Sequence, residues 1–241
     1  MTGNHFLDNL NADDREALLP HLRRTWFPPA AILIEQGGPV DVVVFPVDVQ
    51  ISHLLLQPEG ASVESAVVGP EGVTGLLPVL ADAPSVWRAS VRLEGEGWSL
   101  PADQLRDRCR HSATLQHRMV TLGYFYQTQA AYSAACVASH PVMPRVARWL
   151  LTAIDLAPSG EIRFTQEEIA ALLSVQRTSV VEAFSQFKAA RAIRHSRGRI
   201  RIVNRDALLQ FSCACYRELR NVAEDLGLTP APNLVRRLGL P

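Results

Sequence analysis

The sequence predicts an α+β protein built from an N-terminal β-roll or jelly roll, one long central helix and a C-terminal winged helix-turn-helix. Three observations carry this expectation. Short runs rich in Val and Ile, punctuated by turn residues, fill positions 28–100. Glycine and proline then nearly vanish for about 30 residues, which leaves room for a helix of about 45 Å. Finally, a sharply marked helix start at Thr165 is followed by a second start and by alternating Arg and Ile.

A chain of 241 residues is a prior for two domains rather than one or four. A hydrophobic fraction of 47% with 20% charged residues excludes disordered, collagen-like and fibrous coiled-coil classes. No apolar run approaches the roughly 18 residues of a bilayer span. Acidic residues crowd the N-terminus, where a signal peptide would be basic and then apolar, so the expectation is a cytoplasmic protein with no membrane partner. The net charge of zero hides a division: residues 1–140 carry 15 Asp/Glu against 9 Arg, and residues 141–241 carry 15 Lys/Arg against 9 Asp/Glu. The C-terminal part is therefore the candidate for a polyanionic partner. The four cysteines, Cys109, Cys136, Cys213 and Cys215, lack paired zinc-ribbon spacing and read as reduced thiols. The close pair Cys213-x-Cys215 reads as two half-buried small residues, and no metal site is expected.

Residues 6–24 read as a helical opening segment, with Asn11 to Asp14 as turn and cap. Strands are expected at Ala31 to Ile34, Val42 to Phe45, Val49 to Leu56, Ser62 to Val68, Val86 to Leu93 and Trp98 to Leu100, with Gly95 to Gly97 as one of the turns between them. This β-rich domain is assigned to residues 1–110 and the central helix to 111–139. In that helix Leu115, Met119, Leu122 and Tyr126 alternate spacings of four and three, the seam of a helix paired with another helix. Either a second copy of the chain or the helix's own domain would fill such a seam, and the expectation placed the dimer there. A third domain follows over 140–223, and residues 224–241 are expected to be a flexible tail.

Thr165 and Glu168 have capping-box spacing, and Phe164 and Ile169 have the spacing of a hydrophobic staple. That helix stops near Ser174-Val175, and a second begins at Gln176-Arg177-Thr178-Ser179, burying Val180, Phe184 and Phe187. Two short helices joined by a tight turn are a helix-turn-helix. Its outer face carries Thr178, Glu182, Ser185 and Gln186, with Arg177 at the flank, groups suited to the edges of bases. Next come Ile193-Arg194-His195-Ser196-Arg197-Gly198-Arg199-Ile200-Arg201-Ile202, a hairpin with Ile inward and Arg outward. From Arg191 to Arg205 there are six Arg and no acid, a surface matched to phosphate. A solvated polar face is the bland alternative; the hairpin beside a helix-turn-helix in the basic part of the chain favours a DNA-binding wing.

With these residues in view the chain resembles the Crp/Fnr family of bacterial transcription regulators. The resemblance rests on Thr165-Gln166-Glu167-Glu168-Ile169-Ala170, Arg177-Thr178-Ser179-Val180, Arg197-Gly198-Arg199-Ile200 and the glycine-bearing turn Glu71-Gly72-Val73-Thr74-Gly75. It implies a cyclic-nucleotide-binding-like sensor, a homodimer paired through the central helix, and double-stranded DNA as partner. The operator would be pseudo-palindromic, with half-sites about 34 Å apart. It implies base contacts from Gln176, Arg177, Thr178 and Glu182, and backbone contacts from Thr165, Ser179, Arg194, Arg197, Arg199 and Arg201. The family often has a carboxylate at the position of Thr178 and an arginine at that of Glu182, which implies a different operator preference. The effector pocket would involve Gly75, Leu76, Ser85, Val86 and Arg88. The family's glutamate and Arg-Ser pair for cyclic AMP are replaced by Leu76 and Ser85-Val86, so the usual cyclic-AMP site is not expected, and the effector and any cofactor stay unknown. Activation would add RNA polymerase as a partner, although no motif announces that contact. No Cys precedes Cys109, so the N-terminal cysteine cluster of iron–sulfur members is absent.

Two other classes were weighed. A metal-dependent cupin-like enzyme needs two or three His on its barrel, and His53 is the only His between Pro28 and Leu100. No catalytic residues are expected. The second alternative is a module that senses thiol redox state or a protein, with DNA secondary and Cys136 on the dimer seam, near its symmetry mate.

Overall fold

The computed structural model describes residues 1–60, 62–157 and 159–228. Asn4 accepts the Leu7 N–H to start α1 (His5–Asp8), and Asn11 accepts that of Asp14 to start α2 (Ala12–Leu18). Helix was expected as far as residue 24. Instead Pro20 sits in a 3₁₀ turn (Leu19–His21), and the chain extends as β1 (Arg23–Phe27). The cause is a remote partner, since Arg23 through Phe27 pair with Ser99 through Gly95.

The roll continues with β2 (Ile32–Ile34), β3 (Val42–Pro46), β4 (Gln50–Leu56), β5 (Ser62–Val68), β6 (Arg88–Leu93) and β7 (Gly95–Pro101). Its two sheets have the orders β1-β7-β3 and β2-β6-β4-β5. Within each, neighbouring strands are antiparallel. The expected turn over Gly95 to Gly97 is strand. A Cβ on Gly95 would lie 2.5 Å from Asp48 Oδ1 and 2.6 Å from the Val49 nitrogen, so this glycine serves close backbone approach rather than reversal. Between β5 and β6 the chain forms α3 (Leu76–Ala81).

Two helices follow the roll, α4 (Ala102–His111) and the 27-residue α5 (Ala113–Ser139). They part at Ser112, whose hydroxyl accepts the Leu115 N–H and donates to Asp14. The expected dimer seam on α5 is corrected. Leu115, Met119, Leu122 and Tyr126 are buried in the roll's own core with Phe45, Val68 and Leu105. A second series at the same alternation, Val120, Tyr124, Gln127, Ala131, Ala134 and Ala138, faces outward. Val120 is 63% and Tyr124 58% exposed.

The C-terminal part runs α6 (Val142–Asp155), β8 (Glu161–Arg163), α7 (Gln166–Leu173), α8 (Arg177–Ala189), β9 (Ile193–Ser196), β10 (Arg199–Ile202), α9 (Arg205–Phe211) and α10 (Cys215–Asp225). Its core gathers Val146, Leu150, Ile169, Val180, Phe184, Phe187 and Ile200, separate from that of the roll. The first residues of the segment expected as a flexible tail, 224–228, are ordered and partly packed. Helix α10 reaches Asp225, and Leu226 and Leu228 pack against the core of the roll. The remainder of that segment, 229–241, lies outside the described residues, as does Pro158, expected in the turn after α6. Among the described residues no helix is long and apolar enough to cross a membrane.

Candidate nucleic-acid interface

The helix-turn-helix is built by local chemistry. Thr165 accepts the Glu168 N–H at 3.2 Å while its own N–H donates to the Glu168 carboxylate at 2.7 Å, so α7 starts at Gln166. The Thr165 hydroxyl also donates to that carboxylate at 2.9 Å, which ties the side chain expected at a phosphate into the cap itself. Ser174 ends α7 in the left-handed region at φ 52°, and three residues later α8 begins. Val180, Ala183, Phe184 and Phe187 turn the inner face of α8 into the core.

On the outer face Gln176, Arg177, Thr178 and Glu182 are all exposed. Arg177 Nε lies 3.6 Å from Glu167 Oε2, an ion pair across the turn that holds the guanidinium at the N-terminal end of α8. Ser179 is half-buried in the first turn. One residue of this face was missed. Val181 is 42% exposed between Thr178 and Glu182, an apolar group suited to a thymine methyl. Its signal was present, because one of two adjacent valines in an amphipathic helix must face out.

The wing matches its expected register. Ile202 pairs with Ile193 and Arg199 with Ser196 across a two-residue turn. Both turn residues have positive φ, 49° at Arg197 and 77° at Gly198, the primed turn that fits strand twist. Strand β10 also pairs with β8, giving the order β8-β10-β9. Ile200 is buried, whereas Arg194, Arg197, Arg199 and Arg201 project from the other face. Arg199 lies 3.5 Å from Glu161, so this cation is partly compensated in the free protein.

The residues expected at an effector pocket differ in their surroundings. Gly75 caps α3, Leu76 and Ser85 are buried, and Val86 is 61% exposed. Arg88 points to the surface and is held by Glu35, Nε to Oε2 at 2.9 Å. The space between the roll and α5 is filled by aromatic groups. His53 stacks on Trp87 with centroids 5.3 Å apart and meets the edge of Tyr126 at 5.6 Å. His53 Nε2 lies 3.2 Å from the Thr74 hydroxyl, and burial lowers the His53 pKa to about 4. Tyr126 donates its hydroxyl to the Val73 carbonyl and accepts the Val73 N–H, each at 3.1 Å.

A second polar group joins the roll to the helix-turn-helix and was not foreseen. Arg92 NH1 donates to both oxygens of Glu64 at 2.9 and 3.1 Å, and NH2 donates to Gln50 Oε1 at 3.0 Å. The Trp149 indole on α6 donates to Glu64 at 3.2 Å and lies under the Arg92 guanidinium, 4.6 Å from ring centroid to carbon. Gln50 in turn donates to the Ala153 carbonyl on α6 at 2.8 Å, and Ser174 of the helix-turn-helix donates to the Ser62 carbonyl on β5 at 2.7 Å. These partners lie 28 to 112 residues apart, beyond the reach of motif spacing.

A family model of the Crp-like helix-turn-helix domain matches residues 144–211. A search of curated protein sequences gives no match. Among solved structures, a regulator assigned to the Crp/Fnr family from Eubacterium rectale is similar with a TM-score of 0.68 at 16% identity, covering 88% of this chain and 99% of that one. FixK2 from Bradyrhizobium japonicum gives 0.69 at 17% identity, covering 80% and 98%. The c-di-GMP responsive global regulator CLP from Xanthomonas campestris gives 0.59 at 14% identity, covering 80% and 99%. At these identities the likeness is one of fold, and it extends over both the roll and the helix-turn-helix.

Proposed function

We propose that the chain, which has this fold along its length and matches a Crp-like helix-turn-helix domain over residues 144–211, is a regulator of the Crp/Fnr type that binds a two-fold symmetric DNA operator as a homodimer and catalyses nothing. The observation that carries the reading is the pairing of an exposed polar face on α8 with a wing whose outer side carries Arg194, Arg199 and Arg201 beside Ser196. Arg177, Thr178, Val181 and Glu182, with Gln176 before them, read base edges. Ser179, Arg194, Arg197, Arg199 and Arg201 meet phosphates, and the Thr165 cap presents the N-terminus of α7 to the backbone.

Substitution separates these roles. Arg177→Ala weakens specific binding by about 1–3 kcal/mol and relaxes one base position, whereas Arg199→Ala weakens all sequences alike and reduces the salt slope by about one. Titrations of operator and random duplexes at several salt concentrations check both. Equal shifts on the two duplexes for both variants refute the assignment of α8 as the reading helix.

The dimer is proposed through the outward series Val120, Tyr124, Gln127, Ala131, Ala134 and Ala138 of α5. What supports it is a heptad alternation left exposed on a helix whose opposite face is already buried, with alanines that permit close helix approach. Tyr124→Glu places like charges opposite each other across that axis and converts dimer to monomer in sedimentation at micromolar concentration, with the fold retained by circular dichroism. A dimer that survives the change refutes this face.

A cyclic-AMP site of the usual kind is absent from the proposal, because Arg88 is held outward by Glu35 and the roll's inner space is filled by His53, Trp87 and Tyr126. RNA polymerase enters as a partner only if the operator lies where the protein activates. With those groups in place, the proposed dimer binds operator without added ligand.

A further inference from the structure

Three thiols and an imidazole meet where the central helix ends. Cys136 lies in the last turn of α5, and His140 closes that helix with its N–H on the Cys136 carbonyl. Cys213 lies in the connection after α9, and Cys215 opens α10. Cys136 Sγ is 3.6 Å from Cys213 Sγ, and Cys215 Sγ is 3.7 Å from His140 Nδ1. All four donor atoms lie within 4.8 Å of one another. On a tetrahedral ion with metal–sulfur bonds of about 2.3 Å, two sulfurs stand about 3.8 Å apart. The spacing is therefore that of ligands around one ion, and it is too tight to surround a multi-iron cluster.

The surroundings suit such an ion. Cys136 and Cys215 are buried, while His140 and Cys213 are half-buried. A surface cleft lined by Ser212, Cys213, Ala214 and Arg217 gives an ion a way in. Three thiolates and a neutral imidazole around a divalent cation carry one negative charge, and the Arg148 guanidinium beside Cys136 is its counter-charge. Arg148 Nε is a buried donor with no partner among the described residues.

We propose that Cys136, His140, Cys213 and Cys215 form a closed Cys₃His site for one zinc ion, which ties α10 to the end of α5 and fixes the angle at which the helix-turn-helix leaves the central helix. Soft thiolates with one imidazole select zinc over oxygen-preferring cations, and four protein ligands leave no open position for catalysis. The placement gives the ion its role. The chain passes from α5 to α6 at His140 and Pro141, and α10 spans both cores, with Tyr216 in that of the helix-turn-helix and Ala223 in that of the roll. A bond from His140 to the start of α10 closes this joint. In sequence the site is a Cys-x₃-His at a helix end and a distant Cys-x-Cys, and neither half alone has the spacing of a zinc motif.

The test is made on the full chain, purified without chelator from zinc-supplemented growth under reducing conditions. Elemental analysis gives about one zinc per chain, and cobalt substitution gives the intense visible absorption of a tetrahedral thiolate site. Zinc content falls at least about tenfold in Cys213→Ser and in Cys215→Ser and is unchanged in Cys109→Ser, whose sulfur lies in the core of the roll. Because a variant that misfolds would also lose zinc, the wild type is stripped with chelator as well; amide exchange in α10 and at residues 139–142 then speeds at least about tenfold and recovers when zinc is added back. A zinc content below about a tenth of an ion with no cobalt spectrum overturns the site. Zinc retained in both serine variants places the ion elsewhere and overturns it equally, and exchange indifferent to stripping overturns the clamp. None of these readouts involves DNA, so they stand apart from a failure of the operator reading.

Discussion

Arg92→Ala lowers the unfolding free energy by about 3–5 kcal/mol, the largest effect expected of any single substitution outside the apolar cores. The side chain of Arg92 is 1% exposed and that of its partner Glu64 11%. Removing the guanidinium leaves the Glu64 carboxylate in the same low-dielectric space with, among the described residues, only Ser52 and Trp149 as donors. It also takes a cation from the Trp149 ring and a donor from Gln50. The cost is thus mainly that of an orphaned charge, not of a lost attraction. Arg92→Met combined with Glu64→Leu therefore recovers most of it, since replacing a buried pair by apolar groups of similar volume is often neutral. Chemical denaturation of the two single variants and the double variant supplies the cycle. A double variant as unstable as Arg92→Ala would show that the cost comes from packing. The network binds β4, β5 and β6 to α6, so the loss falls on the junction of roll and helix-turn-helix, and Arg92→Ala separates the two unfolding transitions.

Acidification supplies the second large effect. Burial holds the native His53 pKa at about 4, while an unfolded chain binds that proton near 6.5. The stability is fully present above pH 6.5 and is lost progressively as the pH falls through 6.5 towards 4, by about 3 kcal/mol in all. His5, also lowered by burial, acts in the same direction. The Glu71 carboxyl, raised by burial, acts oppositely, because its native form takes up a proton more readily than the unfolded chain. Comparison of wild type with His53→Asn at each pH cancels both. The difference in unfolding free energy between the two proteins shrinks from pH 7 to pH 4.5, and a pH-independent difference refutes a neutral, buried His53. The ring faces Trp87, Thr74 and Tyr126, so protonation strikes where the roll meets α5.

How far the sequence could be read depended on whether the cause of each feature was near or far along the chain. The start of α7 is set within four residues by Thr165 and Glu168, and the wing turn by Arg197 and Gly198; both were legible and both have the expected geometry. Strand β1 was not legible, because what makes Arg23 to Phe27 extend is the backbone of β7 about 70 residues later. Gly95 announces a turn by composition, yet it answers to Asp48 and Val49 across the sheet. Helix α5 shows the limit of periodicity most plainly. It carries two heptad series, and the larger residues, Leu115, Met119 and Leu122, drew the expectation to the face that the roll itself covers. Over the first two turns of α8 rotation alone found the exposed face except for Val181. The Glu64–Arg92 group was not legible, and of the Cys136, His140, Cys213 and Cys215 cluster only the close pair Cys213-x-Cys215 and the lone Cys136 stood out, not their meeting, since each group joins side chains from separate elements.

Strand β5 is touched from the far side by three successive helices. Gln129 and Ser133 of α5 bond to its backbone at Val67 and Glu64, Trp149 of α6 reaches Glu64, and Ser174 beyond α7 reaches Ser62. A shift of this one strand changes the energy of α5, of α6 and of the turn after α7, which leads into α8. Coupling of that kind is reciprocal: whatever free energy a ligand of the roll lends to operator binding, the operator lends back to that ligand. On the proposed operator reading, DNA sequence would then act as an effector of the roll. Two operators of unequal affinity, occupied in the same cell, would hold the same roll at two different sensitivities.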